Sequence, residues 1–115
     1  MRLETPKTYF TYCVGGEEFK RKEDIIEQAK AFLDDSVPDG RVLEGKARAF
    51  FLDILHHHPA WRVKTQKRLD EEIDLKPDTK IRSYGLRIYH RGSGFRGDNI
   101  SWREALKFVQ KQISY

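Results

Sequence analysis

The chain has a single cysteine, Cys13, so no internal disulfide can staple it. A lone thiol in a small domain fits a reducing compartment, and the expectation is the cytoplasm. No apolar run approaches the roughly 20 residues that a helix needs to cross a bilayer. Met1 to Lys7 carries no apolar stretch of the kind a secretory leader uses. There is no internal repeat, no low-complexity tract and no Pro-, Gly- or Ser-rich linker dividing the chain. With 115 residues, the sequence is sized for one core, since two would each be marginal. Apolar residues make up only 38%, yet aromatics reach 12%, which separates the chain from disordered sequences. Cys13, between Tyr12 and Val14, is expected to be a small buried hydrophobe.

Charge is abundant and unevenly placed. Residues 1–60 hold 9 Lys/Arg against 11 Asp/Glu, a net of −2, whereas residues 61–115 hold 13 against 7, a net of +6. From Lys80 to Lys111 the ratio is 8 basic to 2 acidic. Such asymmetry points to a polyanionic partner for the second half, against the plainer alternative of a solvated charged face.

Residue patterning predicts a mixed-order α+β domain. Thr8 to Val14 is rich in β-formers, Gly15-Gly16 supplies a primed hairpin turn, and Glu17 to Lys20 returns as a short strand. Ile25, Ile26, Ala29, Phe32 and Leu33 recur at helical spacing, and this helix fades near Asp34 to Ser36 before the turn Val37 to Gly40. A second helix runs from about Glu44 to His57 on the face Ala47, Phe50, Phe51, Ile54 and Leu55, and Pro59 ends it. A strand is expected around Glu72 to Leu75, a turn at Lys76 to Thr79, and the longest strand from Lys80 to Arg91. There Tyr84, Leu86 and Ile88 share one face, with Arg87 and Tyr89 on the other. Ser101 and Glu104 form a capping box opening a last helix whose stripe is Trp102, Ala105, Leu106, Val109 and Ile113. The expectation is one domain over residues 1–115, with three helices packed on a mainly antiparallel sheet of three to four strands.

The linear order of marks is distinctive. Gly15-Gly16, Phe19, Ala29 and Leu33 are followed by Phe51-Leu52, Leu55, His58-Pro59 and Lys64, and then by Arg91, Gly94, Asp98, Ser101-Trp102 and Arg103. In this order the chain resembles the DCL-like domain family, named from a plastid protein of plants, over about residues 9–109. His58, Pro59, Asp98, Ser101 and Trp102 match the family's motif. The resemblance implies RNA-related binding. Plant members resemble factors for ribosomal RNA maturation, and the same domain ends the largest subunits of plant-specific RNA polymerases. It implies no catalytic residues and no cofactor.

The residues capable of chemistry fall short of known motifs. His56-His57-His58 are adjacent on a helix end, so their side chains diverge by about 100° and cannot easily share one ion. Asp53 and His57, at i and i+4, form at most one edge of a metal site, and no Cys-x-x-Cys or His-Glu-x-x-His accompanies them. A metal-dependent nuclease built on His58, or on His90 with Asp98 and Asn99, is the least favoured reading. Ser101 lacks a glycine-flanked elbow and reads as a cap, while Asp98 reads as support for the loop or the following helix. Gly92-x-Gly94-x-x-Gly97 has the letters of a dinucleotide loop without the strand and helix that give them meaning.

The strongest candidate surface mixes cations with rings. Arg87, Tyr89 and Arg91 would project together from one face of the long strand, with Phe95 and Arg96 on the adjoining loop. Arg62, Lys64, Lys67 and Arg68 would extend it as phosphate contacts, and Trp61 reads as a core plug behind the helix end. The leading expectation is a non-catalytic nucleic-acid-binding module, RNA preferred over DNA. The alternative is a protein-interaction domain.

Overall fold

A computed structural model describes residues 9–36, 41–78, 85–91 and 97–114. It is an α+β fold with two antiparallel sheets. In chain order the elements are β1 (Tyr9–Val14), β2 (Glu17–Phe19), α1 (Lys22–Ser36), α2 (Gly45–Leu55), α3 (Trp61–Lys64), β3 (Ile73–Asp78), β4 (Gly85–His90), β5 (Asp98–Ile100), α4 (Trp102–Leu106) and β6 (Gln112–Ser114). One sheet has the order β2-β1-β6 and the other β3-β4-β5. The fold class is as expected, but the strands divide between two three-stranded sheets, and four α-helices are found among the described residues rather than three.

The hairpin forms where the glycines predict it. Gly15 and Gly16 take φ of +60° and +83°, which lets Val14 face Glu17 across a two-residue turn. The turn also docks the hairpin on α2. Gly15 N–H donates to Asp53 Oδ2 at 2.8 Å, and a Cβ on Gly15 would stand 2.9 Å from the Phe50 Cα.

The core is aromatic at its centre. Phe50 and Phe51 of α2 meet edge-on at 5.2 Å, with Phe19, Phe32 and Trp102 ranged around them at 5.3 to 6.1 Å. Ile25, Ala29 and Leu33 of α1 are fully buried, as their spacing requires. Leu86 and Ile88 of β4 bury against Ile73 and Leu75 of β3 and Ile100 of β5. Arg48 of α2 secures the approach to β3, donating to the Asp70 carbonyl at 2.6 Å and the Ile73 carbonyl at 3.0 Å.

Three local expectations are corrected, and a fourth lies partly outside the described residues. Lys76, Pro77 and Asp78 are not a turn. They continue β3, with Pro77 opposite Leu86. Proline is tolerated there because β3 is the sheet's edge. The strand expected over Lys80–Arg91 is described only as Gly85–His90, equal in length to β3, and the remaining residues to 84 lie outside the described set. The last helix has the Ser101 cap, whose Oγ accepts from Glu104 N–H at 3.1 Å, but it ends at Leu106. Ile113 lies instead in β6, opposite Phe10 of β1, because strand pairing overrides its helical spacing. Cys13 is exposed rather than buried, since Tyr12 and Val14 turn to the packed side. The turn expected at Val37–Gly40 lies outside the described residues.

Candidate nucleic-acid interface

On β4, Leu86, Ile88 and His90 point inward, so Arg87, Tyr89 and Arg91 do share the opposite face. Their cross-strand neighbours on β3 occupy them. Arg87 Nε lies 3.2 Å from the carboxylate of Asp78, whose side chain is only 2% exposed. Arg91 Nε lies 2.7 Å from Asp74, and its Nη1 donates to the Glu71 carbonyl at 2.9 Å. Lys76 Nζ caps the Tyr89 ring, 5.0 Å from its centroid. The face is thus an internally neutralised lattice rather than the open Arg-Tyr-Arg platform expected. Phe95 and Arg96 lie outside the described residues.

The second predicted cluster divides about α3. Arg62, Lys67 and Arg68 line a groove of about 620 Å³ together with Trp61, Thr65 and Leu69. Trp61 is buried, as a plug should be, yet it forms part of the wall, its ring 5.2 Å from that of His56. Among the described residues, Arg62 and Lys67 are exposed and have no carboxylate partner, while Arg68 meets Glu72 at 3.4 Å. Exposed ion pairs of this kind hold weakly and leave the cation exchangeable.

The backbone that aims these residues is strained. After α3, Gln66 N–H bonds the Val63 carbonyl at 3.1 Å and Lys67 N–H bonds the Arg62 carbonyl at 2.9 Å. This is a Schellman closure, which usually places glycine at the left-handed position. Here Gln66 occupies it at φ +54°, and Lys67 after it is left-handed as well at φ +60°. Thr65, fully buried, steadies the turn by donating its hydroxyl to the Trp61 carbonyl at 2.7 Å.

Lys64 points the other way. Its ammonium donates to the Asn99 carbonyl and lies 3.6 Å from Asp98. Asp98 therefore serves β5 and Lys64 rather than the helix that follows. A second groove, of about 370 Å³, opens here between α3, β5 and the start of α4. His58, Lys64, Ser101 and Trp102 all border it, so residues far apart in the chain converge. Pro59 only delivers the chain from α2 to α3. His58 Nδ1 accepts the Ala60 N–H at 3.0 Å, a bond that needs the neutral ring. Burial lowers the His58 pKa, with Lys64 pushing the same way and Glu104 opposing.

The three histidines take three separate environments. His56 Nε2 lies 3.0 Å from the Asp70 carboxylate, His57 is exposed, and His58 accepts the Ala60 N–H just ahead of α3. Asp53 is committed to Gly15, so it makes no site edge with His57. His90 is buried on the inner face of β4, whereas Asp98 and Asn99 are exposed on β5, so the expected trio does not assemble. Among the described residues, no three of His, Cys, Asp and Glu gather as a metal ion requires. No described helix is long and apolar enough to cross a membrane. Sequence reasoning missed Thr65 and Leu69 beside the first groove, and it named Asn99 and Arg103 without bringing them to the second. Only Arg103, next to Trp102 and 5.3 Å from its ring, carried a signal of cation beside aromatic. No family model, curated protein or solved structure matches the chain.

Proposed function

We propose that this chain is a DCL-like, non-catalytic nucleic-acid-binding module that prefers RNA to DNA. The observation that carries the reading is the α3 groove, where Arg62 and Lys67 stand beside the edge of Trp61 with no neutralising partner among the described residues. Lys and Arg on such a wall neutralise phosphates and release counterions. The net +6 of residues 61–115 supports the same reading. The resemblance to DCL-like domains supports RNA as the preferred polymer. Arg87, Tyr89 and Arg91 act as secondary contacts, because each must first loosen from its β3 partner.

The test is binding of single-stranded RNA, duplex RNA and duplex DNA across a salt series. Each phosphate contact to a single strand contributes a slope of about −0.7 in log affinity against log salt. Arg62, Lys67 and Arg68 together predict a slope near −2, on the order given by that rule. Single-stranded RNA binding at moderate salt with such a slope supports the module. Indifference to all three polymers at low salt overturns it.

Val63, 79% exposed, and Leu69, 66% exposed, flank the same cations and favour a second reading, a protein-docking surface. That reading survives the loss of the first and predicts that Val63→Ser with Leu69→Ser abolishes partner binding.

A further inference from the structure

The groove between α3 and α4 presents donors in excess of what the fold consumes. His58 spends Nδ1 on the Ala60 N–H, so its neutral ring carries the proton on Nε2, which has no partner among the described residues. Ser101 Oγ accepts from Glu104 N–H and keeps its own proton to donate. The Asn99 side chain has no described partner, although its backbone carbonyl holds Lys64. Lys64 has three protons, and the carboxylate it shares, Asp98, is half-exposed. Arg103 stands over the Trp102 ring with no carboxylate partner among the described residues. The nearby acids are otherwise answered, Asp78 by Arg87 at 3.2 Å and Glu104 by Lys107 at 3.0 Å. Among the described residues the local balance is four cations, Lys64, Arg87, Arg103 and Lys107, against three carboxylates, Asp78, Asp98 and Glu104.

Donors without acceptors, a small cationic excess and a concave shape fit one ligand chemistry, an oxyanion with several oxygens. A volume of about 370 Å³ accommodates a phosphate with its attached ribose. A strand running through would need to leave by both ends, whereas a terminal phosphate needs one exit and brings a second negative charge. We propose that this groove seats the terminal phosphate monoester of an RNA strand, held by Lys64, His58, Asn99, Ser101 and Arg103. The proposal rests on the RNA-binding reading and extends it. The strand's backbone leaves past α3 towards Arg62, Lys67 and Arg68 on the other side. The lowered proton affinity of His58 keeps its cap to Ala60 intact near neutral pH, so the ring meets the phosphate as a fixed Nε2–H donor.

The experiment compares one short RNA carrying a 5′-phosphate, a 3′-phosphate or neither, by fluorescence anisotropy at matched ionic strength. One phosphorylated strand is expected to bind roughly tenfold tighter than the unphosphorylated one, the effect of one or two charge-assisted hydrogen bonds. His58→Asn, which can still cap Ala60, and Lys64→Gln each shrink that ratio towards one. Arg62→Ala with Lys67→Ala weakens all three strands and preserves the ratio. In parallel, inorganic phosphate is titrated while the His58 ring is followed by NMR, with chloride as control. A ratio of one for both phosphorylated ends in the unsubstituted protein overturns terminal selection. A ratio unchanged by Lys64→Gln overturns the groove as its origin. If no RNA binds but phosphate moves the His58 signal in a Lys64-dependent way, the oxyanion site stands and the RNA reading fails. If neither happens, both fail.

Discussion

Replacing Gln66 by glycine should stabilise the protein, which is unusual for a substitution to the most flexible residue. Gln66 closes α3 at φ +54°, with its N–H on the Val63 carbonyl and the next N–H on the Arg62 carbonyl. A side chain in the left-handed region costs about 1–2 kcal/mol through contact of Cβ with the following carbonyl. Glycine removes that cost but enlarges the entropy of the unfolded chain, a penalty of about 0.4–1 kcal/mol. Gln66 is exposed and makes no described side-chain hydrogen bond, so little else is lost. The net expectation is a gain of about 0.5–1 kcal/mol, or roughly 2–6 °C in Tm for a domain of this size. Urea denaturation with a common m-value measures it. The control is Val63→Gly, also exposed but in the right-handed backbone of α3, which should lose about 0.5–1 kcal/mol. Equal losses in both variants would show that the turn is unstrained, and the account of how Lys67 is aimed would fall with it.

Three further outcomes are expected. Gly15→Ala should cost about 2 kcal/mol or more, because it combines a left-handed φ with a Cβ 2.9 Å from the Phe50 backbone; thermal denaturation reads it, and a neutral result would mean that the hairpin is not docked as described. The pKa of His58 is lowered on folding, so the stability from its neutral ring is fully present above the unfolded value near 6.5 and declines as pH falls through the folded value. In His58→Asn the part of the pH–stability slope below 6.5 that belongs to this ring should vanish, and an unchanged slope would assign it elsewhere. Arg62→Ala with Lys67→Ala should flatten the salt slope of RNA binding by about 1.4, whereas Arg91→Ala, which removes a cation already held at 2.7 Å by Asp74, should flatten it by less.

Local chemistry made several elements legible in advance. The Gly15-Gly16 turn, the buried stripe of α1 and the Ser101 cap each depend on residues close in sequence, and each forms as its composition demands. Features that depend on pairing were not legible. Ile113 has helical spacing from Trp102, and its segment Gln112 to Ser114 becomes a strand only because β1 offers an edge. The occupation of Arg87 and Arg91 follows from the β3–β4 register, which sets Asp74 opposite Tyr89 and Lys76 opposite Arg87 and so brings Asp74 and Asp78 within diagonal reach. No composition total contains that register. The strained turn at Gln66 and Lys67 was hidden for the opposite reason, since a left-handed backbone without glycine leaves no mark in the residue string. The candidate site therefore moved from the strand face to the flanks of a four-residue helix.

The pairing of Tyr9 with Ser114 has a consequence for how the chain acquires its shape. It joins two strands 105 positions apart, and contacts so distant in sequence form slowly because the intervening chain must already be ordered. During synthesis, β1 can pair with β2 at once, but its other edge has no neighbour until β6 has left the ribosome. For that interval the nascent protein carries an open strand edge beside Cys13, which makes the hairpin the segment a chaperone or a second nascent chain would meet first.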